Sequence, residues 1–200
     1  MKIGVLALQG AFREHIHRLQ QLGVEAIEVR LPEDLEGLDG LIIPGGESTT
    51  IGKLADLYGL MEPLRAFAHE KPVWGTCAGM IFMAGDIGVD QPLLGLMDIV
   101  VERNAFGRQV DSFEAAVAVP SWQSNGQPAA PFPAVFIRAP KLVTADESAG
   151  ARVLARLADG TPVAAQQGNW LVTAFHPELT EDLRFHQYFL SLVKKVEANR

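Results

Sequence analysis

The chain opens on a segment with no alternation of polar and apolar positions. Lys2 to Leu8 therefore reads as a strand buried on both faces, because a half-exposed strand would alternate. After Gln9-Gly10 the period changes. Phe12, Ile16, Leu19 and Leu22 recur at helical spacing, and Gly23 follows as a stop. Ala26 to Val29 reads as a second strand. Gly40 to Ile43 reads as a third and ends at Pro44-Gly45-Gly46. Ser48 is placed to cap a helix running to about Leu57. Met61 to His69 predicts another helix, and Val73-Trp74 a fourth strand that leads into Cys77.

Strands alternating with helices predict an α/β fold, doubly wound around a mostly parallel central sheet. Ligands in such sheets bind beyond the C-terminal strand ends, so Gly45-Gly46 and Cys77 are expected to converge. From about Met97 to Ala164 the pattern shifts to short strand-like runs: Asp98 to Val101, Phe113 to Val119, Ala134 to Ile137, Val153-Leu154 and Pro162 to Ala165. They predict an antiparallel extension of the sheet. Ser121 to Pro133, rich in Pro, Ala and polar residues, reads as a surface loop. Trp170 to Phe175 is expected to form the last strand. Thr180 is expected to start a final helix with Leu183, Phe185, Tyr188, Phe189 and Leu192 as its apolar positions. No internal repeat or low-complexity tract interrupts the chain, and residues 1–200 read as one domain.

Composition narrows the classes. The chain has 48% hydrophobic and 20% charged residues, which suits a globular protein. A net charge of −7 argues against general nucleic-acid binding, which needs a basic surface. The single cysteine forms no internal disulfide, and the apolar start is too short for a signal peptide. No stretch is long enough to span a bilayer. A cytoplasmic protein is expected, without a nucleic-acid or membrane partner.

That one cysteine stands in Gly75-Thr76-Cys77-Ala78-Gly79, immediately after an apolar strand. This is the pattern of a nucleophile elbow, a strand-to-helix turn so tight that Cβ atoms beside the nucleophile do not fit. The helix that follows points free N–H groups at the thiol and favours a thiolate. The alternative is a small buried cysteine beside an ordinary turn. A thiolate needs a base, and the base an orienting group. Of five histidines, His176 stands at a strand end as Cys77 does. Pro177 fixes the chain there, and Glu178, two residues on, is expected to project to the same side in an extended segment and to hold the imidazole. His15 and His17 lie two apart on the first helix, face different directions and are read as solvent-facing; His69 and His186 lie on helices without chemical context. No metal site is expected. The amide of Ala78 is one candidate oxyanion donor, and Gly45-Gly46 the source of a second. Neither a phosphate-binding P-loop nor a dinucleotide fingerprint is present.

These residues resemble the class I (triad) glutamine amidotransferases, and among them the glutaminase subunits of pyridoxal 5′-phosphate synthase. The matching runs span nearly the whole chain. They are Gly4 to Gly10 with Arg13-Glu14-His15, Leu41 to Thr50, Gly75 to Gly79, Val101 to Phe113, Phe136 to Pro140, and Phe175 to Thr180. The elbow and His176-Pro177-Glu178 belong to the wider superfamily; the runs Glu102 to Phe113 and Pro44 to Thr49 look more specific to this subunit. The resemblance implies a flavodoxin-like fold in which Cys77 attacks the side-chain amide of L-glutamine. His176 would activate the thiol and protonate the leaving ammonia, and Glu178 would hold His176. It implies a glutamine pocket of Gly46, Glu47, Ser48, Arg103, Ile137 and Arg138, and an oxyanion hole of Gly45, Gly46 and Ala78. It further implies transfer of ammonia to a barrel-shaped synthase subunit in a hetero-oligomer, docking near Gln9 and Gly10 and ordering the oxyanion hole. The chain itself would need no cofactor, since pyridoxal 5′-phosphate would be the product of the complex.

Trp74 and Trp170 are bulkier than the family pattern suggests, and the Ser121 to Pro133 loop looks longer. Three other readings stay open at this point: a glutaminase serving another synthase such as that of imidazole glycerol phosphate, a stand-alone γ-glutamyl hydrolase, and a non-catalytic binding module.

Overall fold

The computed structural model describes residues 1–103 and 112–198. The run Glu102 to Phe113, which carries part of the resemblance, falls mostly outside the described residues.

The expected alternation forms the first half of the chain. Strand β1 (Lys2–Leu6) leads to helix α1 (Phe12–Gln21), then β2 (Glu25–Val29) and β3 (Gly40–Ile43). Helices α2 (Ser48–Leu57) and α3 (Met61–Glu70) precede β4 (Val73–Thr76), and α4 (Ala78–Met83) follows it directly. The second half is strand-rich, with β5 (Ala84–Asp86), β6 (Met97–Glu102), β7 (Ser112–Val117), β8 (Gln123–Ser124), β9 (Gln127–Pro128), β10 (Phe132–Ile137), β11 (Lys141–Ala145), β12 (Ala151–Arg156), β13 (Pro162–Gln167) and β14 (Trp170–Thr173). Helix α5 (Arg184–Ala198) closes the described chain.

Seven strands make the central sheet in the order β12-β13-β14-β4-β3-β1-β2. The pairs β1–β2, β1–β3, β3–β4 and β4–β14 are parallel, whereas β13 pairs antiparallel with both β14 and β12. The architecture is the expected α/β one, a largely parallel sheet with an antiparallel extension, but only β12 and β13 form that extension; β6 pairs with β5 and β11, and β7 with β10, in two separate small sheets instead of joining it as expected. Strands β1, β3 and β4 are buried on both faces by the flanking helices, which explains their unbroken apolar runs. The chain leaves β1 toward one edge of the sheet and returns through β3 on the other side. The carboxyl ends of β1 and β3 therefore flank a crevice, where Gly10 and Gly45 lie.

Trp74, bulky for its position, is fully buried at the centre of the sheet. Its ring stacks on Phe185 and lies 5.7 Å from the Phe189 ring, both on α5. The large side chain is matched by aromatic residues on the covering helix. Trp170, opposite Val73 on the neighbouring strand β14, is anchored by its indole N–H, which donates to the Ala68 carbonyl at 2.8 Å.

Several element boundaries differ from the sequence reading. Strand β1 stops at Leu6, because Gly10 adopts φ +104° and turns the chain toward α1. The run read as Phe113 to Val119 pairs only as far as Val117. The Ser121 to Pro133 segment contains a small hairpin, β8–β9, closed by Asn125 and Gly126 with φ 52° and 75°. Asn-Gly supplies the left-handed pair that a two-residue hairpin turn requires. The last helix starts at Arg184, not Thr180. A 3-10 turn, Pro177–Leu179, intervenes, and Asp182 accepts the Arg184 amide at 3.0 Å.

Candidate active site

The turn from β4 to α4 carries backbone strain at the cysteine. Cys77 has φ 49° and ψ −106°, a conformation that non-glycine residues rarely adopt. Its neighbours explain how the turn closes. A Cβ on Gly75 would stand 2.6 Å from the Gly79 backbone, and one on Gly79 would collide with the Ile43 carbonyl. Both glycines therefore allow β3, β4 and α4 to meet closely enough to expose the thiol. The Cys77 amide donates to Thr173 on β14 at 2.8 Å and pins the elbow to the sheet.

His176 follows β14 and reaches the same place. Its own amide donates to Val135 at 2.8 Å, so the strand β10 fixes it from the other side. Its imidazole and the Cys77 thiol line the same cleft and both pack against Gly45, Nδ1 lies 2.6 Å from Glu178 Oε1, and the thiol donates to the Ile137 carbonyl at 3.9 Å. The expected Cys-His-Glu arrangement is present, but the extended geometry expected for it is not. Glu178 approaches His176 because Pro177–Leu179 coils into a 3-10 turn with His176 at its cap. Burial disfavours a charged imidazole, yet hydrogen bonds and charge from Cys77 and Glu178 outweigh it and raise His176 to about 10.

The thiol opens into a cleft of about 400 Å³. Gln9, Gly10, Gly45, Gly46, Glu47, Ser48, Cys77, Ala78, Arg103, Ile137, Arg138 and His176 all line it, with Ala11 and Ile81. Every site residue expected from sequence thus meets in one cleft except Glu178, which is 1% exposed and stands behind His176. The loop after β3 is clamped from both sides by the loop after β1. The Ala11 amide donates to the Gly45 carbonyl at 3.0 Å, and the Glu47 amide donates to Gln9 Oε1 at 2.7 Å. Gly45 also packs against His176 and Cys77 so closely that a Cβ there would overlap the imidazole.

Helix α2 is capped by Glu47, not by Ser48. The Glu47 carboxylate accepts the amides of Thr49 at 3.2 Å and Thr50 at 2.8 Å. Slight burial opposes its charge, but these bonds and the Thr50 hydroxyl hold its pKa below the usual carboxylate value. Glu47 also pairs with Arg103 at 3.2 Å. On the cleft wall Arg138 takes a left-handed φ of 42° at the end of β10.

Sequence reasoning missed two groups. Gln91 accepts from Arg103 at 2.8 Å and from the Thr49 hydroxyl at 3.1 Å, so it sets the direction of the guanidinium. No local pattern marked it. His15 and His186, read as solvent-facing and as without context, are both fully buried and 3.1 Å apart. Helical spacing contained the signal: His15 lies three residues after Phe12 and four before Leu19, on the apolar face. His17 is indeed exposed, as is His69.

Comparison with known proteins agrees with this geometry. The sequence profile of the SNO glutamine amidotransferase family matches residues 5–195. The chain belongs to that family. Full-length relatives include the pyridoxal 5′-phosphate synthase subunit PdxT of Dehalococcoides mccartyi strain BAV1, 56% identical over 99% of this chain and 100% of that protein. The protein of the same name from Geobacillus kaustophilus is 55% identical over 98% of this chain and 97% of its own. A solved structure described as a glutamine amidotransferase superposes with a TM-score of 0.88 at 52% identity, covering 96% of this chain and 98% of that one. A chain of the PurLQS structure from Thermotoga maritima shares the fold alone, with a TM-score of 0.69 at 17% identity over 95% of this chain and 97% of that one. As a glutamine amidotransferase the chain is an enzyme.

Proposed function

We propose that the chain is the glutaminase subunit of a pyridoxal 5′-phosphate synthase and acts as a single domain. It would hydrolyse L-glutamine to L-glutamate and ammonia. The observation that carries this reading is the Cys77 thiol on its strained turn, beside a His176 imidazole that Glu178 holds at 2.6 Å, in a cleft of about 400 Å³. Full-length relatives that bear the name of this subunit support the choice of synthase.

The chemistry follows from the geometry. Cys77 Sγ, as thiolate, adds to the side-chain amide carbon of glutamine. Developing negative charge on the amide oxygen is taken by N–H groups of Ala78, at the start of α4, and of the Gly45-Gly46 loop. The His176 imidazolium gives its proton to the amide nitrogen, the C–N bond breaks, and ammonia leaves a glutamyl thioester. Water then attacks the thioester as His176 takes its proton, releasing glutamate and restoring the thiol. Arg103 is suited to the α-carboxylate of glutamine, and the Glu47 carboxylate to its α-ammonium group. Ser48, Ile137 and Arg138 would close the pocket around it. The chain needs no cofactor for this reaction.

Ammonia would pass to a barrel-fold synthase subunit in a hetero-oligomer, docking near Gln9 and Gly10. The two hydrogen bonds that tie the Gln9 to Ala11 segment to Gly45 and Glu47 give docking a direct mechanical link to the oxyanion loop. Among the described residues no helix is long and apolar enough to cross a membrane, and a cytoplasmic location fits the reaction. The test is isotopic. The chain is mixed with the synthase subunit, both sugar phosphates, amide-15N glutamine and excess unlabelled ammonium. Pyridoxal phosphate carrying mainly 15N supports donation within a complex; a product diluted to the isotopic ratio of the solution overturns it.

A further inference from the structure

Behind the triad lies a buried polar network that the reaction above does not use. Glu178 spends one carboxylate oxygen, Oε1, on His176. The other, Oε2, is buried without a hydrogen bond that meets ordinary geometry, and it lies 3.3 Å from His15 Nε2. His15 Nε2 is also 3.2 Å from the hydroxyl of Thr76, the residue immediately before the nucleophile. On its far side His15 Nδ1 lies 3.1 Å from His186 Nε2. His15, His186 and Thr76 are fully buried. The network therefore joins α1, α5, β4 and the turn that carries Glu178.

Proton placement is decided by counting donors. One hydrogen lies between the two imidazoles. If His15 Nδ1 carried it, His15 Nε2 would be bare and its lone pair would face the Glu178 carboxylate. The remaining N–H of His186 would then sit at Nδ1, which has no partner. A buried orphan donor and two opposed lone pairs make that arrangement costly. If His186 Nε2–H donates to His15 Nδ1, every clash disappears. His15 then presents Nε2–H between Thr76 Oγ1, 3.2 Å away, and Glu178 Oε2, 3.3 Å away, and the nitrogen of His186 left over is a bare acceptor instead of an orphan donor.

We propose that His15 is a positioning residue for the triad: its Nε2–H, set in that tautomer by His186, holds the second carboxylate oxygen of Glu178. The groups facing His15 are Glu178, His176, His186 and Thr76, while Arg18 on the same helix donates to the Glu178 carbonyl at 3.1 Å and pairs with Glu181. Burial, followed by the His186 and His176 charges, keeps the His15 pKa well below its usual value, so the ring is a neutral donor. A neutral donor steadies the carboxylate and leaves its full charge facing His176. An imidazolium at the same point would neutralise it.

The proposal rests on the glutaminase reading, so its test has an arm that needs no turnover. Histidine 15N NMR of the wild-type chain at neutral pH should show His15 and His186 neutral, each protonated at Nε2. Protonation of His15 at Nδ1, or a charged ring, overturns the proposal whatever the enzyme does. The second arm measures glutamate release with the synthase subunit present. His15→Leu should lower kcat roughly 10–100-fold, the range for outer partners that orient a functional group, with KM within about twofold. His15→Gln, whose amide N–H can reach the same point, should recover most of the loss. Equal losses in the Leu and Gln variants, or a folded Leu variant with wild-type kcat, overturn the assignment. His186→Phe keeps the ring that packs on Trp74, 5.0 Å away, and should lower kcat by removing only the tautomer control. A wild-type protein that releases no glutamate would defeat the glutaminase reading while leaving the NMR result to judge the network.

Discussion

At the scale of single residues, the proposed chemistry rests on Cys77, His176 and Glu178, and variants at these positions test it. Cys77→Ser should lose essentially all glutamine turnover, because the hydroxyl lacks the nucleophilicity that this site exploits; intact-protein mass spectrometry should find no acyl adduct. Glu178→Gln keeps the shape of the side chain but removes its charge. Its kcat should fall by roughly 10²–10⁴-fold, the range for losing the orienting carboxylate of a triad. The pH dependence follows from the same residue. His176 is held protonated to about 10, so the alkaline limb of kcat/KM should lie near that pH and move downward in Glu178→Gln. An alkaline limb that stays in place in the variant would contradict the role of Glu178. Cys77, His176 and Glu178 were all legible in the sequence, because their residue types sit at marked turns. Gln91 was not, since its function arises from contacts with Arg103, Thr49 and Ser48 that no local pattern encodes.

At the scale of elements, the elbow depends on glycines that admit a close backbone approach. Gly79→Ala would place a methyl group against the Ile43 carbonyl, which belongs to β3 and cannot swing aside. Destabilisation of about 1–3 kcal/mol is expected, as for overpacked cores, measured as a lower urea midpoint with unchanged slope. The same variant should lose activity beyond its loss of stability, because relief of the clash would move Cys77. The periodicities of 2 and 3.6 gave the strands and helices of the first half in order but left β5 and β11 unmarked. They failed where local chemistry ends an element early: Gly10 turns β1, Asp182 caps α5, and Asn125-Gly126 folds a hairpin inside a segment that reads as loop. The buried histidines were misread for a different reason. Polar type alone points His15 to solvent and gives His186 no context, whereas helical register places His15 in line with Leu19, and His186 with Phe189 and Leu190.

At the scale of the whole molecule, three histidines couple stability to pH with opposite signs. His15 and His186 are driven below their usual pKa chiefly by burial, His186 to about 3. Between pH 6.5 and the carboxylate range the unfolded chain takes up protons at these positions that the fold refuses, so stability falls as pH falls. His176 behaves oppositely. Its folded pKa is raised to about 10, so its stabilisation is complete below 6.5 and is lost as pH rises toward 10. Unfolding free energy should therefore peak near pH 6.5, falling toward acid through His15 and His186 and toward alkali through His176. His186→Phe should flatten the acid limb and His176→Asn the alkaline one in urea titrations across pH. A stability plateau from pH 5 to 9 would show that the three side chains are not held as described.

The mostly parallel sheet and the convergence of strand ends at Gly45 and Cys77 follow from the alternation of elements and were legible beforehand, whereas the strand order was not. Transfer of ammonia to a synthase subunit, as proposed, would be a property of an assembly and not of this chain alone. The central claim, a Cys77 glutaminase that serves a synthase, is tested most directly by glutamate release from glutamine. The assay compares the wild-type chain alone, the wild-type chain with sugar phosphates and the synthase subunit, and Cys77→Ser under the same conditions. Release should rise strongly with the synthase and be absent from the Cys77→Ser protein. Comparable release from Cys77→Ser, or none from the wild-type chain in the complete mixture, would contradict the claim.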